Sequence, residues 1–486
     1  MSSIRLLPAP LLALLLGAAT VLGFAPFHAY PLPPLTLALL VILWRRASTA
    51  HRAALLGFLW GLGFFLAGVS WVYVSMHDFG GMAAPLAALA TLLFCAYLAL
   101  YPALAGWLFS RFKSGTAGRD ALLAAGAWTL SEWLRGWLLT GFPWLSLGYS
   151  QAPGSPLAGF ASTLGVYGVG FIAALIASLL PSSRNWRPLG LILLLLACGQ
   201  ILYRMDWTHP VGAPLTVSLL QGDVAQDTKW DPEQLQQSLA IYARLAREHP
   251  AQLTVLPETA LPVFFDELPA GYLDRLTANG PILAGAVVRT RSGGYTNAAV
   301  ALVPGKPPQA YAKSHLVPFG EYVPAGFSWF LALMRIPMSD FTAGPSDQQP
   351  LSLAGQQVMP NICYEDLFGE EIVRALPRAT LLINLSNTAW FGHSLAQPQQ
   401  LEIAQLRALE TGRFMLRATN TGMTAAVRPD GVVAAALPAF AIDALTVKVQ
   451  GYAGMTPYSR WGNALIVLIA AASLLQAIFG RKRTRL

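Results

Sequence analysis

Three short stretches of this chain set ionisable side chains against the ends of apolar runs: Leu256-Pro257-Glu258-Thr259, the run from Ala312 and Lys313 through His315 to Glu321, and Asn361-Ile362-Cys363-Tyr364-Glu365-Asp366. At such places desolvation and a charged neighbour shift proton affinities, and loops at strand ends commonly carry sites. A Glu, a Lys and a Cys suffice for nucleophilic acyl chemistry. A thiolate is the strongest side-chain nucleophile near neutral pH, and a carboxylate can take the thiol proton. An ammonium nearby would stabilise both the thiolate and the oxyanion that forms when it attacks an ester carbonyl. Glu258 is the candidate base, Lys313 the candidate stabiliser and Cys363 the candidate nucleophile. Taken singly, each has a plainer reading: Cys363 as a small buried hydrophobe, Glu258 and Lys313 as an ordinary surface ion pair.

Other chemistries find little support. Cys95 and Cys198 fall inside apolar runs, Cys363 has no neighbour at zinc-ligand spacing, and the seven histidines are scattered. No disulfide or metal is expected. There is no internal repeat and no phosphate-binding glycine pattern, so no cofactor is expected either.

The elements that must position these residues are of two kinds. With 55% hydrophobic and 12% charged residues and a mean hydropathy of +0.49, the chain lies outside the usual soluble range. Apolar runs near 6–24, 31–44, 54–76, 85–109, 121–139, 160–181 and 188–204 are candidate membrane helices, and an eighth extends from about Trp461 to Phe479. Between them, short apolar runs alternate with amphipathic stretches, which reads as α/β layers. Strands are expected at Leu215–Leu220, Leu253–Leu256, Ile282–Val288, Ala298–Val303, Leu381–Leu385 and Thr424–Val427. Helices are expected at Pro232–Glu248, Asp266–Ala278 and Gln399–Gly412. The expected divisions are therefore 1–204 for seven spans, 205–458 for the α/β domain, and 459–486 for the eighth span with a basic tail.

The net charge of +8 does not call for nucleic acid, because the basic residues sit where cytoplasmic loops of a membrane protein would place them. Arg45, Arg46 and Arg52 follow the second run, Arg111, Lys113 and Arg119 the fourth, and Arg184 and Arg187 the sixth, while the intervening loops lack Lys and Arg. With Arg5 and the cluster Arg481, Lys482, Arg483 and Arg485 also inside, residues 205–458 fall on the outer face, the periplasm of a bacterium. A cleaved signal peptide at Leu11–Ala29 is the competing reading; it would leave an even number of spans before the domain. Glu132 and Arg135, at i and i+3, are placed to share one helix face, either as part of an interfacial anchor with Trp133, Trp137 and Trp144 or in a lipid-headgroup role.

The order Glu, Lys, Cys on successive strand ends resembles the nitrilase superfamily of carbon-nitrogen hydrolases. The closer resemblance is to the bacterial apolipoprotein N-acyltransferases, and it spans nearly the whole chain. It rests on Pro257-Glu258-Thr259, the stretch from Lys313 to Pro324, Ile362-Cys363-Tyr364-Glu365 and Asn384-Leu385-Ser386-Asn387. Lys229-Trp230-Asp231, Ala389-Trp390-Phe391-Gly392 and the membrane motif Thr140-Gly141-Phe142-Pro143-Trp144 add to it. The resemblance implies an eight-helix membrane bundle in the bacterial inner membrane plus a periplasmic α-β-β-α sandwich. Glu258, Lys313 and Cys363 would form its triad, with Glu321, Tyr364, Glu365, Trp230 and Asn387 in support. It further implies ping-pong transfer of a fatty acyl chain from a membrane phospholipid, typically phosphatidylethanolamine, to a Cys363 thioester. From there the chain would pass to the α-amine of the diacylglyceryl-cysteine of an apolipoprotein, the last step of lipoprotein maturation. One departure is Thr388, where the family usually has Asp, which weakens any role for an acid there.

Apolar loops at Pro318–Tyr322, Gly326–Leu333 and Trp390–Phe391 either gate lipid entry at the interface or simply cap the domain core. Two other functions compete: a membrane-tethered amidase with the same triad, and a transporter with an outer regulatory domain. Seven spans ahead of the domain favour lipid substrates over a simple tether. A lone intramembrane charged pair gives transport little support.

Overall fold

The computed structural model describes residues 7–183, 185–225, 232–324, 326 and 340–483. The chain divides into two compact units: Met1–Tyr73, Ala84–Met205 and Trp461–Leu486 in one, Val74–Ala83 and Asp206–Arg460 in the other. The ten-residue segment Val74–Ala83, which includes the helical turn Ser75–Phe79, thus belongs with the α/β domain and not with the helices on either side of it in sequence. Trp230 and most of the Gly326–Leu333 loop lie outside the described residues.

The first unit is helical. Ala50–Val69, Ala84–Phe112, Pro156–Ser182 and Trp186–Tyr203 are long and apolar enough to cross a membrane, and Ala9–Gly23 and Ala464–Gly480 are shorter apolar helices. The runs near 31–44 and 121–139 also fold as helices, Leu32–Arg46 and Ala117–Arg135. The first has only 15 residues, and the second contains Arg119, Asp120, Glu132 and Arg135. Among the described residues, length and composition therefore single out four candidate spans, and the other four expected runs are helical but shorter or more charged. The last helix returns to this unit through a close approach: a Cβ at Gly126 would lie 2.7 Å from the Ala470 carbonyl oxygen and 3.0 Å from Ser473 Cβ. Small residues at such crossings let two backbones pack directly. Glu132 and Arg135 are buried and serve the loop that follows their helix. Arg135 donates to the carbonyls of Phe142 (2.5 Å) and Trp144 (2.7 Å), and Glu132 accepts from the Leu147 N–H at 2.9 Å. The pair thereby satisfies backbone groups that an irregular loop would otherwise leave unmet.

The second unit has two sheets. The first runs β13-β1-β2-β4-β5-β6, with β3 beside β4; the second runs β12-β11-β10-β9-β8-β7. The strands of the first are β1 Thr208–Gln221, β2 Leu253–Val255, β3 Leu261–Phe264, β4 Ile282–Arg289, β5 Tyr295–Leu302, β6 Gln309–Ala312 and β13 Asp443–Gly454. Those of the second are β7 Leu351–Leu353, β8 Gln356–Ile362, β9 Leu381–Ser386, β10 Met415–Thr419, β11 Ala425–Val427 and β12 Val433–Ala436.

Alternation along the strands builds four layers. Leu215, Val217 and Leu219 of β1 pack with Leu381, Ile383 and Leu385 of β9 and Leu416 of β10 in one dry core between the sheets. The opposite face of the first sheet, with Leu220 and Ala284, is covered by Leu239, Tyr242 and Leu245 of helix Pro232–Glu248. The opposite face of the second, with Leu382 and Met415, is covered by Leu401, Ala404 and Ala408 of helix Ala396–Thr411. This is an α-β-β-α sandwich. β1 and β13 pair from Thr208↔Gly454 to Gln221↔Asp443, so the chain enters and leaves the domain side by side.

The expected helix at Asp266–Ala278 shrinks to Tyr272–Leu276. Pro269 and Gly271, the latter at φ +71°, break the turn before it. The helix expected at Gln399–Gly412 begins three residues earlier, at Ala396, and stops as expected where Gly412 takes the left-handed conformation.

Candidate active site

All three candidate residues sit where strands end. Glu258 lies three residues beyond β2, and Lys313 and Cys363 directly follow β6 and β8. The turn carrying Glu258 crosses β4 at Gly285, where a Cβ would lie 2.6 Å from both Glu258 Cα and Thr259 N. Only glycine permits that approach.

Side chains from these ends converge in a buried ionic cluster. Lys313, 1% exposed, directs Nζ at Glu321 Oε1 (2.9 Å) and Oε2 (2.8 Å) and at Glu258 Oε1 (3.4 Å). Asn297 of β5 donates through Nδ2 to Glu258 Oε1 and to Glu321 Oε1, both at 2.8 Å. Glu258 Oε2 accepts the Asn387 backbone N–H at 2.8 Å, and Glu321 Oε2 accepts the Val317 N–H at 2.8 Å. Burial alone would depress the Lys313 ammonium, but Glu321 and Glu258, with a smaller contribution from Cys363, outweigh it and hold the group well above the usual lysine range. Its two carboxylate partners thus favour the charged ammonium.

Cys363 opens the short 3-10 helix Cys363–Leu367 with φ +51°, a strained value for a side-chain-bearing residue. The turn is held from behind. The Cys363 carbonyl accepts from Asn384 Nδ2 (3.3 Å) and Gln400 Nε2 (3.4 Å), and Asp366 forms a fully buried ion pair with Arg417 at 2.6 Å. Burial pushes the Asp366 carboxyl up to about 6, with Arg417 opposing it. Burial first, and the Glu258 charge second, hold the Cys363 thiol well above its usual range, with Lys313 partly offsetting them. Both effects favour the thiol over the thiolate at Cys363.

Glu365 ties the lysine loop to the cysteine turn. Its Oε1 accepts from Ser314 N (2.7 Å), Ser314 Oγ (2.9 Å) and His315 N (3.1 Å), and its Oε2 from Ile362 N (2.7 Å), while the Tyr311 hydroxyl reaches both oxygens at 3.0 Å. Five donors converging on one side chain suit a carboxylate, which offers only acceptor sites.

The other expected supporting residues divide. Glu321 lies inside the cluster, and Asn387 acts through its backbone. The Tyr364 ring packs edge-on against His315 and Phe368. Thr388 is 1% exposed, and its hydroxyl has no hydrogen-bond partner among the described residues. In the following turn, the Trp390 carbonyl accepts from Ser75 Oγ at 2.7 Å. Sequence reasoning missed Asn297 and Gln400, and it named Asn384 only as part of the Asn384–Asn387 motif, without a role. The available signal for Asn297 was an amide directly ahead of the apolar run Ala298–Val303.

This geometry defines a class: residues 216–458 match the carbon-nitrogen hydrolase family. Residues 16–179 match the apolipoprotein N-acyltransferase N-terminal domain. The apolipoprotein N-acyltransferase of Nitrosomonas europaea is 50% identical over 493 residues, covering 97% of this chain and 98% of that one. That of Ralstonia nicotianae is 47% identical over 491 residues, with 97% and 93% covered. The chain belongs to the apolipoprotein N-acyltransferase family.

Glu365→Gln turns an amide N–H₂ toward backbone N–H groups that need an acceptor. It is expected to lower stability by roughly 1–3 kcal/mol and to cut acyl transfer at least about tenfold. Thermal unfolding and a transfer assay on the purified protein check this; a wild-type rate would contradict the bracing role.

Proposed function

We propose that this enzyme N-acylates apolipoproteins by a ping-pong mechanism through a thioester on Cys363. The observation that carries the reading is the buried pairing of Lys313 with Glu258 and Glu321, whose charges act on the Cys363 thiol, in a chain that also has helices long and apolar enough to cross a membrane. In the first half-reaction the Cys363 sulfur attacks an ester carbonyl of a phospholipid, phosphatidylethanolamine being the expected donor, while Glu258 takes the thiol proton. Lys313 stabilises the oxyanion. Collapse breaks the C–O bond, and the lysophospholipid leaves with the proton from Glu258. In the second half-reaction the α-amine of a diacylglyceryl-cysteine attacks the thioester, Glu258 takes an amine proton, and the C–S bond breaks. The thiolate recovers that proton as the amide product leaves.

Both substrates are lipids whose reactive groups lie at headgroup level, which accounts for a catalytic domain built into a multi-span chain. The proposed arrangement has eight spans in the bacterial inner membrane, 1–204 and 459–486 contributing seven and one, with 205–458 in the periplasm. Its support is the alternation of basic and uncharged loops.

The full-length protein in detergent, given phosphatidylethanolamine and a diacylated lipopeptide with a free amine, is expected to yield the triacylated peptide by mass spectrometry. Cys363→Ala should reduce this to background. Release of free fatty acid with no gain of a chain on the peptide would point to an amidase instead. For orientation, a reporter fused after Arg485 is expected to be active only if it works in the cytoplasm; periplasmic activity would overturn the topology.

A further inference from the structure

Asn297 joins both carboxylates of the cluster, and no other neutral side chain among the described residues does so. Its backbone takes part as well, since the Lys313 N–H donates to the Asn297 carbonyl at 2.7 Å. One strand residue therefore sets the lysine backbone and both carboxylate partners of its side chain. The amide orientation follows from the network: reversed, Oδ1 would face two carboxylate oxygens. In the orientation adopted, Oδ1 is buried with no hydrogen-bond partner among the described residues. A buried orphan acceptor is costly, and a residue that carries one beside the reacting groups is there for what its Nδ2 does.

The chemical problem it addresses is a shared proton. Glu258 and Glu321 carry two negative charges against the single positive charge of Lys313. Paired carboxylates that lack other donors retain a proton between them. A carboxylate in that state cannot accept the proton of Cys363. The titratable groups set against Glu258 are Lys313, Glu321 and Cys363, with Asp366 near the thiol. Lys313 favours Glu321, at 2.8–2.9 Å, over Glu258, at 3.4 Å. Glu258 thus takes its shortest hydrogen bonds from Asn297 Nδ2 and the Asn387 N–H, both at 2.8 Å.

We propose that Asn297 is a positioning residue that keeps Glu258 as an unprotonated base by donating one amide hydrogen to it and the other to Glu321. The two carboxylates then share Lys313 without sharing a proton. An aspartate here would add a third carboxylate, and a cationic side chain would cancel the charge that makes Glu258 basic. The inference rests on the Cys363 thioester reading.

The test is single-turnover acylation of Cys363 by phosphatidylethanolamine, followed by intact-protein mass from about pH 5 to about pH 9 in the full-length protein. Loss of a donor to the carboxylate raises its proton affinity, so the acid limb must move to higher pH. Asn297→Ala is expected to shift that limb up by about one unit, roughly a tenfold loss of rate on the limb, with most of the rate recovered on its alkaline side. Asn297→Ser, which retains one donor, should fall between and serves if the alanine variant does not fold. A rate loss that is uniform across pH, or an unmoved limb in either folded variant, would overturn the proposal. Absence of any thioester in the wild-type protein would instead remove the reading on which it rests.

Discussion

The structure depends on holding two carboxylates and one ammonium in a site that water scarcely reaches. Such a cluster is stable only if each charge keeps a partner and each remaining lone pair a donor. Lys313, Glu258 and Glu321 meet that condition through Asn297 and the backbone N–H groups of Asn387 and Val317. These donors come from a strand, from the loop after β9 and from the lysine loop. Both sheets must therefore be in register before the cluster can exist, and the sandwich core supplies that registration.

The same constraint explains the cysteine. Its turn is strained, and burial and the Glu258 charge favour its thiol over the thiolate, so the role proposed for it calls for a base rather than a standing thiolate. Asn384, Gln400 and the Asp366–Arg417 pair fix the backbone from behind, and Glu365 fixes the distance to the lysine loop. Rigid support of this kind is what the proposed nucleophile would need in order to meet a base and an incoming carbonyl.

Much of this was legible in the sequence because the candidate triad residues are chemically out of place. Glu258, Lys313 and Cys363 interrupt apolar strand ends, and their order suggested one site. The alternating runs read only as α/β layers, and it was the resemblance that implied four of them; the structure arranges these layers around three separate cores. What escaped notice was long-range. Asn297 reads as an ordinary strand amide until Glu258 and Glu321 arrive from 39 and 24 residues away. Glu365 works mainly through backbone donors, which sequence does not reveal. The expected helix at Asp266–Ala278 failed locally, because hydrophobic spacing was weighed above Pro269 and Gly271. Among the membrane helices, Leu32–Arg46 and Ala117–Arg135 show how loop charges suggest a span that length or composition does not by itself support.

The central claim is that the acyl chain passes through Cys363. Its most direct test is peptide mass spectrometry of the full-length protein after incubation with phosphatidylethanolamine alone, then after addition of the diacylated lipopeptide. The account predicts one fatty-acyl adduct on the Cys363 peptide that is lost as the lipopeptide gains one chain. Acylated lipopeptide forming with no adduct on Cys363 under turnover, or with an adduct on another residue, would contradict it.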